Sequence, residues 1–268
     1  MRTSESPHRM NVTKIKKVKL IQTWVTSAPY QQFIEEISAL AEQRESSYVC
    51  FANVHMLMEA YQHPEFNKVV NQANLVAPDG RPLSVLMKYQ YGLDQERACG
   101  MDLFPDILQA AETRSLSVYF YGSTPDVLQA IEEKAAREYP RLKIAGTYSP
   151  PFRPLTPEED QAAVDRINDS GAHLVFVSLG CPKQEKWMHA HQPQVKACML
   201  GLGQAFLTYT GKEKRLPGWA RNLSLEWAYR FYLEPKRLWK RYLVGNTRFL
   251  WLALQSILKR REGRAYRR

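Results

Sequence analysis

The chain has 268 residues, 44% of them hydrophobic, enough to bury a full α/β core as one large domain or as a domain with an appendage. Its net charge of +10 is unevenly placed, with sixteen Lys and Arg against four Glu and no Asp between Lys212 and Arg268. Cys50, Cys99, Cys181 and Cys198 lack CxxC spacing, which argues against a zinc site or a disulfide framework and fits a reducing cytosol.

Met1 to Val18 is polar and basic without the apolar centre of a signal peptide, and residues 1–13 read as a disordered lead-in. No uninterrupted apolar run reaches the roughly 18 residues that a membrane span needs. Lys14 to Val25 alternates like a strand and is expected as an edge strand or hairpin arm. Ser27, shortly before Pro29, is expected to cap a helix over Tyr30–Gln43, whose Phe33, Ile37, Leu40 and Ala41 share one face. Tyr48–Ala52 reads as a short buried strand that ends at Asn53, Val54 and His55, ahead of a helical pattern over Met56–Tyr61.

Asn74–Ala77 is a further short strand, stopped by Pro78, Asp79 and Gly80. An Asp between Pro and Gly makes an ordinary turn, because Pro fixes φ and Gly accepts positive φ. At the carboxyl end of a strand, where α/β folds bind ligands, it is also a candidate functional group. Arg97–Leu103 leads into a helix through Thr113, and Ser117–Gly122 is a strand followed by Ser123 or Thr124 as cap of a helix over Asp126–Tyr139. The glycine turn at Gly122 suits phosphate, since unpaired amides point there, but it lacks the spacing of a P-loop or a dinucleotide fingerprint. Lys143–Thr147 reads as a strand, Pro150–Pro157 as a proline-rich loop and Glu158–Asn168 as a helix.

Leu174–Leu179 is a nearly continuous apolar and β-branched run, as in a strand covered on both faces. It stops at Gly180, Cys181 and Pro182, which places Gln184 at the mouth of a ligand site, and Cys198–Gly203 is a second apolar run. Strand and helix patterns alternate from residue 48 to about residue 211. The expected fold is therefore α/β, Rossmann-like, with a mostly parallel sheet and helices on both faces. Residues 14–215 form this core, and residues 216–268 form a basic helical C-terminal appendage.

In the appendage, Leu223–Tyr242 interleaves aromatics and leucines with Arg230, Lys236, Arg237, Lys240 and Arg241, and an apolar segment, Phe249–Leu258, follows. Such a helix lies well on an anionic membrane surface. An ordinary amphipathic helix docked on the core is the plainer alternative, and nucleic acid is not an expected partner because no nucleic-acid motif accompanies the charges. Several polar residues carry two readings each. His55 orients substrate or is a helix-start histidine satisfied by backbone, and Cys181 is a thiol nucleophile or a small buried thiol. Asp102 is expected to cap the helix after Gly100, and His189 and His191 to lie on a surface helix without metal spacing.

Taken together, Asn53 with His55, Ala77-Pro78-Asp79-Gly80, Arg97–Leu103, Tyr121-Gly122, Leu179–Trp187, Gly201–Gly203, Lys214–Pro217, Leu225–Trp227 and Glu234–Arg237 resemble the WecG/TagA/CpsF family of glycosyltransferases. The resemblance runs in order from about Lys17 to Leu254. It implies transfer of a sugar from a UDP-sugar to a polyprenyl-diphosphate-linked saccharide on the cytoplasmic leaflet, with inversion and with no metal or other cofactor. It implies Asp79 as general base and Asn53, Arg97 and Gln184 as substrate-binding positions, to which the readings of His55 and of the Gly122 turn add two more. Arg230, Arg237 and Arg241 are the matching arginines of a membrane-binding appendage that completes the site. Self-association as a homo-oligomer is compatible with it. The chain departs from the common pattern at Phe51 and Leu207, where many members carry a Thr and an acidic residue, so N-acetylmannosamine, its uronic acid and a hexose all stay open as donor sugar. The alternative outside the family is a non-enzymatic module that binds membranes or nucleic acid through the basic tail.

Independently of the resemblance, inverting transfer needs one carboxylate to take the acceptor proton, and Asp79 suits it. The leaving diphosphate needs cations, and in the absence of a DxD pair the tail arginines are the natural source.

Overall fold

The computed structural model describes residues 15–214, 216, 226–233, 235–239 and 243–265, so the lead-in expected over residues 1–13 lies outside the described residues. Lys16–Leu20 (β1) and Thr23–Ser27 (β2) pair antiparallel in a small sheet of their own. One strand or hairpin arm was expected over Lys14–Val25. The stretch instead doubles back at Ile21, which takes a left-handed conformation with φ 60°, and Gln22. Tyr30–Glu42 (α1) follows, with Pro29 at its N-cap, so the cap expected from Ser27 does not form.

The main sheet is built from Ser47–Ala52 (β3), Leu75–Pro78 (β4), Val118–Gly122 (β5), Ile144–Tyr148 (β6), Leu174–Ser178 (β7) and Cys198–Gly201 (β8). Its order is β4-β3-β8-β7-β5-β6, and all of its neighbours run parallel. Helices cover both faces, as the apolar strands require. The pleat sends alternate side chains into two layers, with Tyr48, Cys50, Ala52, Val175 and Val177 on one side and Val49, Phe51, Leu174 and Phe176 on the other.

The first layer lies under Val54–Gln62 (α2), Pro64–Gln72 (α3), Arg81–Tyr91 (α4), Pro157–Asp169 (α7) and Lys183–His191 (α8). The second lies under α1, Gly100–Thr113 (α5), Pro125–Glu138 (α6) and Ala205–Tyr209 (α9). Its centre is aromatic: the Phe104 ring lies 5.0 Å from that of Phe176 and 5.5 Å from that of Phe206, and all three side chains are fully buried.

The surface position expected of His191 and the capping role expected of Asp102 are both corrected by this packing. His191 is buried, with Nε2 2.9 Å from Asp160 Oδ2 and Nδ1 2.8 Å from the Trp187 carbonyl, because α8 packs against the sheet. Asp102 is not at the N-cap of α5, which is Cys99, but in the first turn, where it pairs with Arg97 at 2.9 Å.

Within the amphipathic stretch expected over Leu223–Tyr242 the structure describes two helices, Glu226–Leu233 (α10) and Pro235–Trp239 (α11). Gly245–Ala265 (α12) contains the expected Phe249–Leu258 segment and packs against α2 and α4. Phe249, Leu252 and Ala253 join the core, Arg260 lies 3.9 Å over the Tyr91 ring, and Gln90 hydrogen-bonds Ser256. On its outward side Leu250, Trp251, Leu254 and Leu258 are exposed.

The four cysteines are chemically unequal. Cys50, Cys99 and Cys198 are buried, and burial pushes each thiol up, Cys198 to about 12, whereas Cys181 is partly exposed, which corrects the second of its two readings, a small buried thiol. A maleimide-type reagent at neutral pH is expected to modify Cys181 first. Mass spectrometry of the native protein showing Cys50, Cys99 or Cys198 labelled earlier would contradict this packing.

Candidate active site

Because the main sheet is wholly parallel, every strand delivers its carboxyl end to one edge. Asp79 leaves β4 there, and its N–H donates to the Ala52 carbonyl at 2.8 Å, which ties the exit of β4 to that of β3. Asn53 is the next residue along from Ala52. Its Oδ1 accepts from the Met56 N–H at 3.1 Å and caps α2. Gly80 caps α4, and a Cβ there would lie 4.0 Å from the Asn53 Cβ, so the two turns are in contact.

The segment before α5 closes this corner from a third side. The Ala98 N–H donates to the Pro78 carbonyl at 3.0 Å, which holds Arg97 and Cys99 against the Asp79 turn. Burial first, and then the Asp79 carboxylate with which the thiol hydrogen-bonds, push the Cys99 thiol well up. Cys99 is therefore a donor toward Asp79 rather than a thiolate. Arg97, held by Asp102, also lines a groove of about 380 Å³ beside α4, together with Arg81, Lys88, Asp94 and Glu96. His55, on the first turn of α2, has Nδ1 3.9 Å from Glu59 Oε1.

A second corner forms at the exits of β5, β7 and β8. Gly122 has φ 103°, and a Cβ there would sit 2.4 Å from the Ser178 carbonyl oxygen, so no side chain fits. The close approach lets the Ser123 N–H donate to that carbonyl at 2.9 Å. Ser178 Oγ donates to the Gly203 carbonyl at 2.8 Å, joining β7 to the loop after β8.

Gln184 binds the same loops more firmly. Its Oε1 accepts from the Gly180 N–H at 3.1 Å, and its Nε2 donates to the Gly201 carbonyl and to Glu185 Oε1, both at 2.8 Å. The side chain is 4% exposed. Gln184 thus shapes the floor between β7 and β8.

Asn53, Asp79, Arg97, Gly122 and Gln184 therefore share one edge of the sheet. Arg230 lies on α10 and Arg237 on α11, with their side chains outside the described residues, as is Arg241 altogether. Phe51 and Leu207 belong to the apolar layer under α5 and α9, with the Phe51 ring close under Gly100. Cys99 and Glu185 were missed as members of the site's surroundings. Glu185 stands in a run of four polar residues, and only the 0% exposure of its side chain separates it from solvated neighbours. Among the described residues, no three His, Cys, Asp or Glu side chains converge as metal ligands.

The sequence model of the Glycosyl transferase WecG/TagA/CpsF family matches residues 18–263. The chain belongs to that family. It is a glycosyltransferase, which removes support from the non-enzymatic module and from Cys181 as a hydrolase nucleophile. An N-acetylglucosaminyldiphosphoundecaprenol N-acetyl-beta-D-mannosaminyltransferase of Bacillus subtilis (strain 168) is 32% identical over 204 residues, covering 75% of this chain and 77% of that protein. The enzyme of the same name from Bacillus spizizenii is 33% identical over 205 residues, with the same coverage. That from Staphylococcus aureus (strain NCTC 8325) is 26% identical over 249 residues, covering 91% and 92%.

For this glycosyltransferase the Gly122 turn offers a direct test of how the second corner is held. Gly122→Ala is expected to cost on the order of 2 kcal/mol in denaturant unfolding, because a Cβ meets the Ser178 carbonyl in a backbone conformation that alanine disfavours. An alanine variant as stable as the wild type would show that the β5 and β7 exits are not in contact.

Proposed function

We infer that this glycosyltransferase moves a sugar from a UDP-sugar to a saccharide carried on polyprenyl diphosphate, with inversion at the anomeric carbon and Asp79 as general base. The observation that carries the reading is the position of Asp79 at the exit of β4, beside Asn53 and Arg97 and with a thiol donor turned toward it. An acceptor hydroxyl at hydrogen-bond distance loses its proton to the Asp79 carboxylate while its oxygen forms the bond to the anomeric carbon. The bond from that carbon to the diphosphate breaks on the opposite face, and UDP leaves with the electron pair.

The names of the similar enzymes support N-acetylmannosamine as the sugar and N-acetylglucosaminyl-diphosphoundecaprenol as the acceptor. The β linkage in those names is the product that inversion of an α-linked nucleotide sugar gives. In this reading the diphosphate charge is met by Arg97 and by the tail arginines Arg230, Arg237 and Arg241, whose guanidinium groups suit phosphate oxygens. Asn53, His55, Gly122 and Gln184 bind or shape the donor pocket.

The acceptor's lipid asks for a membrane seat, and α12 supports one. Its inner stripe is already buried, and Leu250, Trp251, Leu254 and Leu258 form a second apolar stripe on the outside. A helix apolar on both sides needs a second apolar environment. Lys259 on the same helix suits anionic headgroups on the cytoplasmic face, whereas Arg248 and Arg260 lie over the Tyr61 and Tyr91 rings. Among the described residues no helix is long and apolar enough to cross a membrane, which fits a peripheral attachment.

In UDP release from UDP-N-acetylmannosamine with detergent-dispersed acceptor, Asp79→Asn is expected to lower turnover by about 10²- to 10⁴-fold while UDP still raises the melting temperature. Turnover unchanged in that variant would sink Asp79 as base. Cys99→Ala, which removes a donor to the charged carboxylate, is expected to move the acidic limb of the rate profile to higher pH. For the membrane seat, replacing Trp251 and Leu254 by Ser is expected to release the protein from anionic vesicles in a flotation assay without lowering its melting temperature. Undiminished flotation would place the contact elsewhere.

A further inference from the structure

Glu185 is a buried carboxyl group that the transfer chemistry leaves unused. It lies on the first turn of α8, where the helix packs against β3 and β8, and its side chain is 0% exposed. Oε1 accepts the Gln184 Nε2 hydrogen at 2.8 Å, and Oε2 is shielded from water with no hydrogen-bond partner among the described residues. The titratable groups that face it are the Cys181 thiol of the turn and the Cys50 thiol of β3, and no lysine or arginine among the described residues pairs with it. Two opposed effects act on its proton. Burial favours the neutral acid, while the Gln184 donor, its own backbone N–H and the Cys181 thiol favour the carboxylate.

The bond to Gln184 gives that proton a structural consequence. The ionised carboxylate only accepts, so it fixes the Gln184 amide with Nε2 toward Glu185 and the Gly201 carbonyl, and Oε1 toward the Gly180 N–H. The backbone of Gly203 leans on the same amide, since a Cβ there would lie 3.2 Å from Oε1. Protonation converts a charge-assisted bond into a neutral, weaker one and loosens the join between the two loops.

We propose that Glu185 is a positioning residue: ionised, it locks the Gln184 amide that clamps the exits of β7 and β8, and protonated, it relaxes that clamp and slows transfer. The proposal rests on the reading of this edge as the sugar-transfer site. Burial pushes the Glu185 carboxyl up to about 7, so the two forms exchange near neutral pH. The sign for stability follows. The unfolded chain loses this proton at the ordinary carboxylate pH and the native chain only near neutrality, so stability falls as pH rises between the two and levels off above.

The test is Glu185→Gln, which keeps an acceptor for Gln184 Nε2 and the side-chain shape but cannot ionise. Melting temperatures and acceptor-dependent UDP release are measured for both proteins from pH 5 to 8.5. The melting temperature of the variant relative to the wild type is expected to climb by roughly 5 °C between pH 5 and 8. Wild-type turnover is expected to rise about tenfold through an inflection near neutral pH that the variant lacks. A melting difference that does not vary with pH overturns the buried proton site, and an inflection that persists in the variant overturns the positioning role. Should Glu185→Gln fail to fold, Glu185→Asp, which keeps the charge but withdraws it from Gln184, is expected to lower turnover at every pH, and full turnover there overturns the proposal. If the wild type turns over no donor, the sugar-transfer reading fails separately. The UDP-induced melting shift then replaces the rate: it is expected to be larger at pH 8 than at pH 6 in the wild type alone, and equal shifts overturn the proposal.

Discussion

The site depends on one amide. Gln184 reaches from the turn after β7 to the last carbonyl of β8, and the other hydrogen bonds between those exits among the described residues come from the Ser178 hydroxyl and the backbone. Parallel strands leave their carboxyl ends as loose loops, since the ladder stops there while the chain still has to turn. A buried side chain that supplies two donors and an acceptor in fixed directions turns such an end into a surface of defined shape. Gly201 and Gly203 fit this role, because a side chain at either would press on the Gln184 amide.

At the opposite corner the strand exits are tied to one another by backbone hydrogen bonds. Asp79 hangs from the Ala52 carbonyl and the segment carrying Arg97 hangs from the Pro78 carbonyl, so β3, β4 and the entry to α5 fix one another in sequence. The difference matters chemically. A base must hold its distance from the reacting hydroxyl whatever its own protonation state, and main-chain hydrogen bonds do not titrate. The floor between β7 and β8, by contrast, is held by side chains and is open to adjustment.

Much of this was readable from the chain. The alternation of buried apolar runs with helical patterns indicated a parallel sheet, and the Pro-Asp-Gly and Gly-Cys-Pro stops marked strand exits, because those residues interrupt a ladder for local reasons. What failed was whatever depended on long-range packing. The polar run Lys183–Lys186 looks uniformly solvated, yet the first turn of α8 buries Gln184 and Glu185 and exposes Lys183 and Lys186. His191 was misread for the same reason, its partner Asp160 lying 31 positions earlier on α7. No helix had been assigned over Arg81–Tyr91 or Pro64–Gln72, where polar residues and an initial Pro obscure the apolar face.

The helix α4 begins two residues after Asp79 and ends against α12, where Gln90 meets Ser256. At 1.5 Å per residue, those ends are about 15 Å apart. On the proposed reading, with α12 as the membrane seat and Asp79 as the base, α4 is a rigid link between the two. The proposed base then stands at a set distance from the seat, and that distance limits which acceptor hydroxyls reach it.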